Sequence, residues 1–429
     1  MRLLFSALAL CFAVLGHAAD KDYPLVEARE VTPRGGLPNF FRKAQTTGAE
    51  IKIGYLGGSI TAQNGWRVQT LAHFKQACPQ ASFTEINAAI GGTGSDLGVF
   101  RVQQDVLSKG PDLLFVEFAV NDGGADPQRI IRAMEGIVRQ TWKANPSTDI
   151  CFVYTITEAL SPPMLEGKLQ RSATAMEKVA DHYGIPSIAL GMEVAKLAKA
   201  GQLAWRAKLP KTEADKAALA GKFVFAADGT HPHDSTGQVL YTQAIIRSLP
   251  ALAIANATPT PHVIGPALDA ANWERAKLVP ITAAKLSAGL ASADPATDAH
   301  AKVWAKRLPA MVKLTQPGQS IEFRFQGTHC AVYDVVGPAG GMVAVTLDGK
   351  AQKSVQRIDA YCTYPRLSTF VVGTDLPEGE HTVRLELLAD PIDKAAVLAK
   401  NKNQIDKPER FAPLHFFPGA LLVVGDLIP

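Results

Sequence analysis

Residues 51–67 read IKIGYLGGSITAQNGWR, and the fold turns on how this stretch is read. Ile51–Leu56 is a short apolar run, and it passes directly into Gly57-Gly58-Ser59-Ile60-Thr61. The pattern predicts a helix from Trp66 to Ala77. A glycine-rich turn between a strand and a helix cradles a phosphate, presents a nucleophilic serine, or only caps a helix. These residues alone leave the three readings open.

Downstream, the same alternation recurs. Apolar runs at 83–87, 113–118, 150–156 and 185–190 predict further strands, rich in Ile, Val, Leu and Phe and with little polar alternation. Runs of that kind suit a parallel sheet covered on both faces. Amphipathic stretches at 127–144 and 168–183 lie between them, and a last helix is expected over 238–248. The grammar is α/β: a flavodoxin-like, doubly wound parallel sheet.

After Pro250 the pattern changes. ALAIANATPTPHVIGP has the small residues and prolines of a linker. From about Ser320 the chain is strand-like, with Asp348-Gly349 and Glu378-Gly379 where hairpin turns are expected. The expected organisation is a signal peptide over 1–18, a catalytic domain over 19–250, a linker over 251–261 and an all-β sandwich over 262–429. The polar stretch from Leu203 to Lys222 reads as an insertion.

Composition excludes several classes. The 429 residues are 47% hydrophobic and 20% charged, as in ordinary globular proteins. A formal charge of +4 is small for this length and implies neither a nucleic-acid nor an anionic-membrane partner. MRLLFSALALCFAVLGHAAD has the short apolar core and small residues of an export signal cleaved after Ala18, and nothing later is long and apolar enough to span a bilayer. An exported, soluble protein is expected. Cys78, Cys151, Cys330 and Cys362 remain after cleavage. An oxidising compartment allows Cys78 to pair with Cys151 and Cys330 with Cys362; four buried free thiols fit equally well. No cysteine or histidine cluster suggests zinc, and no metal or cofactor is expected.

Chemistry concentrates in four blocks where loops leave the predicted strand ends. They are Gly57–Thr61, Asn87–Ser95 (NAAIGGTGS), Ala119-Val120-Asn121-Asp122 and Asp228-Gly229-Thr230-His231-Pro232. A serine needs a neighbouring imidazole to take its proton, and the imidazole needs a partner on its other nitrogen. Asp228, three residues before His231, meets that need within one turn. Oxyanion donors complete the set, from the Ser59 and Gly92 backbone N–H groups and the Asn121 amide.

In this order the blocks resemble the SGNH hydrolases, also called the GDSL family, over about residues 54–249. The resemblance implies Ser59 as nucleophile, Asp228 and His231 as its partners, and Ser59, Gly92 and Asn121 as the oxyanion hole. Gly58 stands where the family's name has Asp. The GGSIT form, with Gly65-Trp66-Arg67 and Val116-Glu117-Phe118, resembles a subgroup of secreted carbohydrate esterases that carry an accessory β-sandwich. This implies acetyl removal from O-acetylated poly- or oligosaccharides. A lipase or short-chain esterase, a sugar O-acyltransferase, and a catalytically silent polysaccharide-binding protein are the alternatives. Trp66 and Arg67 are candidate substrate-binding residues, with helix packing as an equal reading. Glu117 in an apolar strand needs a partner or a raised pKa. His233 reads as a loop residue, and Asp122 as a turn or helix-start residue. Oligomeric state is not legible.

Overall fold

A computed structural model describes residues 23–254 and 258–428. The expected signal peptide lies outside the described residues, as does part of the expected linker. The chain divides into two compact units, at Glu274/Arg275.

The first unit is built on a six-stranded sheet. Its strands are β1 (Val31–Thr32), β2 (Glu50–Gly57), β3 (Ser82–Asn87), β4 (Leu113–Glu117), β5 (Asp149–Tyr154) and β6 (Ser187–Ala189), in the order β1-β6-β5-β4-β2-β3. β2 to β6 run parallel, and only β1 is antiparallel. Every residue of β4 and β5 is buried, as their unbroken apolar runs require of central strands. The chain passes from β2 outward to β3, then returns to the other side of β2 for β4. The strand order therefore reverses at β2. Crevices at the carboxyl ends of strands form at such switch points, and Ser59 follows β2 itself while Asn121 follows its neighbour β4.

The expected helices form at Trp66–Ala77 and Pro127–Ala144, and the 168–183 stretch is helical over Arg171–Tyr183. Counting Pro38–Ala44 as α1 and Ser59–Ala62 as α2, the next are α3 (Trp66–Ala77), α4 (Ser95–Asp105) and α5 (Pro127–Ala144). The start of α5 is set by Pro127 at its first position and by Asp126, whose side chain accepts the N–H groups of Gln128 and Arg129. Ile130, Met134, Ile137 and Val138 then recur on its buried face. The final helix of the unit, Gly237–Ile254, runs past the expected end at 248.

The stretch Leu203–Lys222, read as a polar insertion, has secondary structure of its own. It contributes β7 (Leu203–Arg206), a short helix at Glu213–Leu219 and the approach to β8 (Phe223–Ala226), which pairs parallel with β7. A capping box between Thr212 and Asp215 starts that helix. Further on, the chain stays with the first unit as far as Glu274. Glu135 accepts the N–H groups of Leu268 and Asp269, Arg132 pairs with Asp269, and Arg139 pairs with Glu274. A run of small residues and prolines gave no sign of these charged anchors.

The second unit is an antiparallel nine-stranded sheet that encloses its own core. Strand Ser320–Val336 is its spine and pairs along one edge with Phe417–Ile428. On the other edge its first half pairs with Gly379–Leu387 and its second half with Arg366–Gly373. Phe325, Val332, Leu385, Phe416 and Leu421 lie in the core. Asp348 and Gly349 both have positive φ and turn the hairpin as expected. Glu378-Gly379 does not. Its flanking strands pair with different halves of the spine, so the segment is a crossing and not a hairpin. The four cysteines among the described residues are free thiols, three of them buried.

Candidate active site

Ser59 sits at the first position of α2, immediately beyond β2. Gly58 before it is extended, and its lack of a side chain is a close-approach requirement. A Cβ there would lie 1.8 Å from Asn121 Oδ1. The Asn121 amide thus lies over the backbone that leads into Ser59. The Gly91-Gly92 turn crosses the same serine, with a Cβ on Gly91 falling 3.5 Å from Ser59 Cβ. Gly92 has φ +74°, a left-handed conformation that favours glycine. The turn is held by the Ile90 N–H on Gly57 O at 3.0 Å and by the Thr93 hydroxyl on Ile90 O at 2.8 Å.

His231 arrives on the Asp228–Pro232 turn. Asp228 Oδ1 accepts the N–H groups of Thr230 at 2.9 Å and His231 at 2.8 Å, the local bonding that makes Asp a turn residue. Its Oδ2 lies 2.7 Å from His231 Nδ1, and His231 Nε2 lies 2.9 Å from Ser59 Oγ. An ionised carboxylate only accepts, so Nδ1 carries the proton and Nε2 is left to accept from the serine hydroxyl. Burial acts to raise the Asp228 carboxyl. The His231 ring and the two backbone N–H groups outweigh it, holding the group below the ordinary carboxylate range. The arrangement can remove a proton from Ser59 while the resulting imidazolium faces a fixed negative charge.

Two buried acids lie beneath this surface. Glu117, at the end of β4, accepts the hydroxyls of Thr61 at 2.8 Å and Thr155 at 2.6 Å, and the Gly58 N–H. Burial raises its pKa against those three hydrogen bonds. It therefore ties the serine turn to the loop after β5. Asp122 accepts the Ser95 N–H at 3.0 Å and so joins the Asn121 turn to the start of α4. Burial, helped by the charge of Asp96, pushes Asp122 up to about 8.

A raised acid pKa has a definite sign. Folded protein holds the proton up to pH of about 8, whereas the unfolded chain releases it near 3.8, so stability falls as pH rises across that window. Asp122→Asn removes this dependence. Its melting temperature should gain on that of the native protein as pH rises from 5 to 8. Thermal melts of both proteins at each pH check this; a constant difference contradicts it.

Trp66 and Arg67 are not at the site. Trp66 is fully buried, its ring centroid 5.4 Å from that of Tyr55 and 5.8 Å from that of Phe115. Arg67 is buried too, paired with Glu85 and donating from Nε to Thr61 O at 3.0 Å. Both brace the serine turn from the core side and do not face a ligand. His233 is a loop residue bonded to Ala207 O at 2.9 Å. Sequence reasoning missed Arg101, a buried α4 residue that donates to the carbonyls of Ala88 and Gly57 and so joins the ends of β3 and β2. An arginine in an otherwise apolar helix face was the available signal.

Residues 55–239 match the model of the GDSL-like lipase/acylhydrolase family. A solved structure of a two-domain esterase (CEX) active on acetylated mannans, co-crystallised with mannopentaose, is similar over 92% of this chain and 97% of its own. The TM-score is 0.70 at 20% identity. A second structure of a two-domain esterase (CEX) active on acetylated mannans gives 0.69 at 20% identity, over 92% of this chain and 98% of its own. At that identity the likeness is one of fold, and it extends through both units. A comparison with curated protein sequences found no match.

Proposed function

We propose, for a chain whose residues 55–239 belong to the GDSL-like lipase/acylhydrolase family, that it is an exported serine esterase removing acetyl groups from O-acetylated poly- or oligosaccharides. The observation that carries the mechanism is the hydrogen-bonded series Asp228–His231–Ser59. His231 takes the Ser59 proton, and Oγ attacks the ester carbonyl. We assign the stabilisation of the tetrahedral oxyanion to the N–H groups of Ser59 and Gly92 and to the Asn121 amide. The intermediate then collapses with cleavage of the bond from the carbonyl carbon to the sugar oxygen, which takes the proton from His231 and leaves as a hydroxyl, with acetyl remaining on Ser59. A water deprotonated by His231 releases acetate and restores the serine.

The two-unit likeness to an esterase active on acetylated mannans supports a glycan substrate. We assign residues 1–18 as the export signal and the antiparallel unit as an accessory domain of the same enzyme. Acetate release from acetylated mannan, xylan, xyloglucan, pectin and peptidoglycan tests the substrate class. The expected result is release from at least one acetylated polysaccharide, and faster cleavage of acetyl than of eight-carbon 4-nitrophenyl esters. Preference for the longer chain with no acetate released from any glycan would instead support a lipase.

A further inference from the structure

Ser59 and His231 come from loops more than 170 positions apart, and a hydrogen bond between them needs those loops held in register. Gln238, in the first turn of the helix Gly237–Ile254, is fully buried. Its Oε1 accepts the Trp66 N–H at 3.0 Å, and its Nε2 donates to Ile60 O at 3.2 Å and to Gln63 Oε1 at 3.1 Å. These partners all lie within the seven residues that follow Ser59. Gln63 then donates from Nε2 to Pro232 O at 3.2 Å, next to His231. Gln238 donates its own backbone N–H to His233 O at 3.1 Å. The amide thus touches the serine loop directly and the histidine loop through one side chain and its own backbone.

The fit is tight. A Cβ on Gly65 would lie 2.1 Å from Gln238 Cδ, so the loop is shaped around this amide. Both ends of the amide are satisfied, and in a buried site an unpaired end is costly. A second tie runs in parallel: Gln69 donates to Asp234 O at 2.8 Å, and the Thr242 hydroxyl donates to Gln69 Oε1 at 2.6 Å.

We propose that Gln238 is a positioning residue for the reaction: its buried amide clasps the Ser59 loop to the His231 loop and sets the 2.9 Å Oγ–Nε2 separation. Gln238 does not touch the reacting atoms. The inference rests on the esterase reading above, because it matters only if Ser59 is the nucleophile. Its loss acts on alignment, and misplacement of reacting groups by about 1 Å costs ~100-fold in rate.

The test compares Gln238→Leu and Gln63→Ala in the full chain, with Ser59→Ala as control. Each is assayed on 4-nitrophenyl acetate and for the rate at which diethyl 4-nitrophenyl phosphate inactivates it, and each is melted. Gln238→Leu should lower kcat and the inactivation rate together by about 10- to 100-fold, with KM within about threefold. Gln63→Ala, which leaves the buried amide in place, should lower both by about threefold or more with little change in melting. A merely structural residue would shift melting and leave kcat of the folded protein unchanged. If Gln238→Leu does not fold, Gln63→Ala decides. Folded variants with native kcat and inactivation rate overturn the inference while an inactive Ser59→Ala leaves the esterase reading standing. An active Ser59→Ala overturns that reading instead.

Discussion

Ser59→Ala is expected to lower kcat on a short-chain ester by about 10,000-fold or more, with melting close to that of the native protein. The size follows from what the hydroxyl does. Among the described residues no other nucleophile is placed on His231 Nε2, and the covalent route is lost with Oγ. What survives is the catalysis that the oxyanion donors and binding supply to an attacking water. The stability cost is small because Ser59 is only half-buried and gives up one hydrogen bond, worth about 1 kcal/mol net. Steady-state kinetics on freshly purified variant, beside a thermal melt, give both quantities. A variant retaining a tenth of native kcat would remove the mechanism.

The second large effect belongs to Asp228. Asp228→Asn should lower kcat by about 100- to 10,000-fold while KM changes little. The asparagine Oδ1 can still accept the N–H groups of Thr230 and His231, so the turn keeps its shape. The amide nitrogen is the difference. Set against His231 Nδ1, it donates where the carboxylate accepted, and the ring proton moves to Nε2. That nitrogen then faces Ser59 Oγ as a donor and cannot take its proton. Because the native carboxyl is held below its usual range, the loss should appear across neutral pH and not only in acid. A pH–rate profile of kcat/KM for both proteins checks this. A loss confined to acidic solution would contradict the tautomer argument.

Sequence periodicity carried most of the α/β unit because its strands and helices are long, apolar and regularly spaced. The site was legible for a related reason: Asp228 and His231 are linked by a turn that needs no tertiary contact. Ser59 was different. Its turn alone admitted three readings, and only residues far along the chain separated them. The reading of Trp66 and Arg67 as ligand contacts failed because both residue types serve binding and packing alike. Burial against Phe115 is decided by the neighbouring strand β4, which the local stretch does not contain. Gln238 was invisible for the same reason, since its partners lie more than 170 positions away. Arg132, Glu135 and Arg139 hold residues 268–274 through charges on the outer face of α5, where sequence reading expects only solvated side chains. The Glu378-Gly379 crossing depended on which half of a long strand each neighbour chose, and no turn residue encodes that.

The central claim is that Ser59 Oγ is the acyl acceptor, and covalent trapping tests it most directly. Native protein is treated with diethyl 4-nitrophenyl phosphate and digested, and its peptides are mapped by mass. One diethylphosphoryl group on Ser59, with parallel loss of esterase activity and no adduct in Ser59→Ala, is the predicted result. Labelling at another residue, or full inactivation with Ser59 unmodified, would contradict the account.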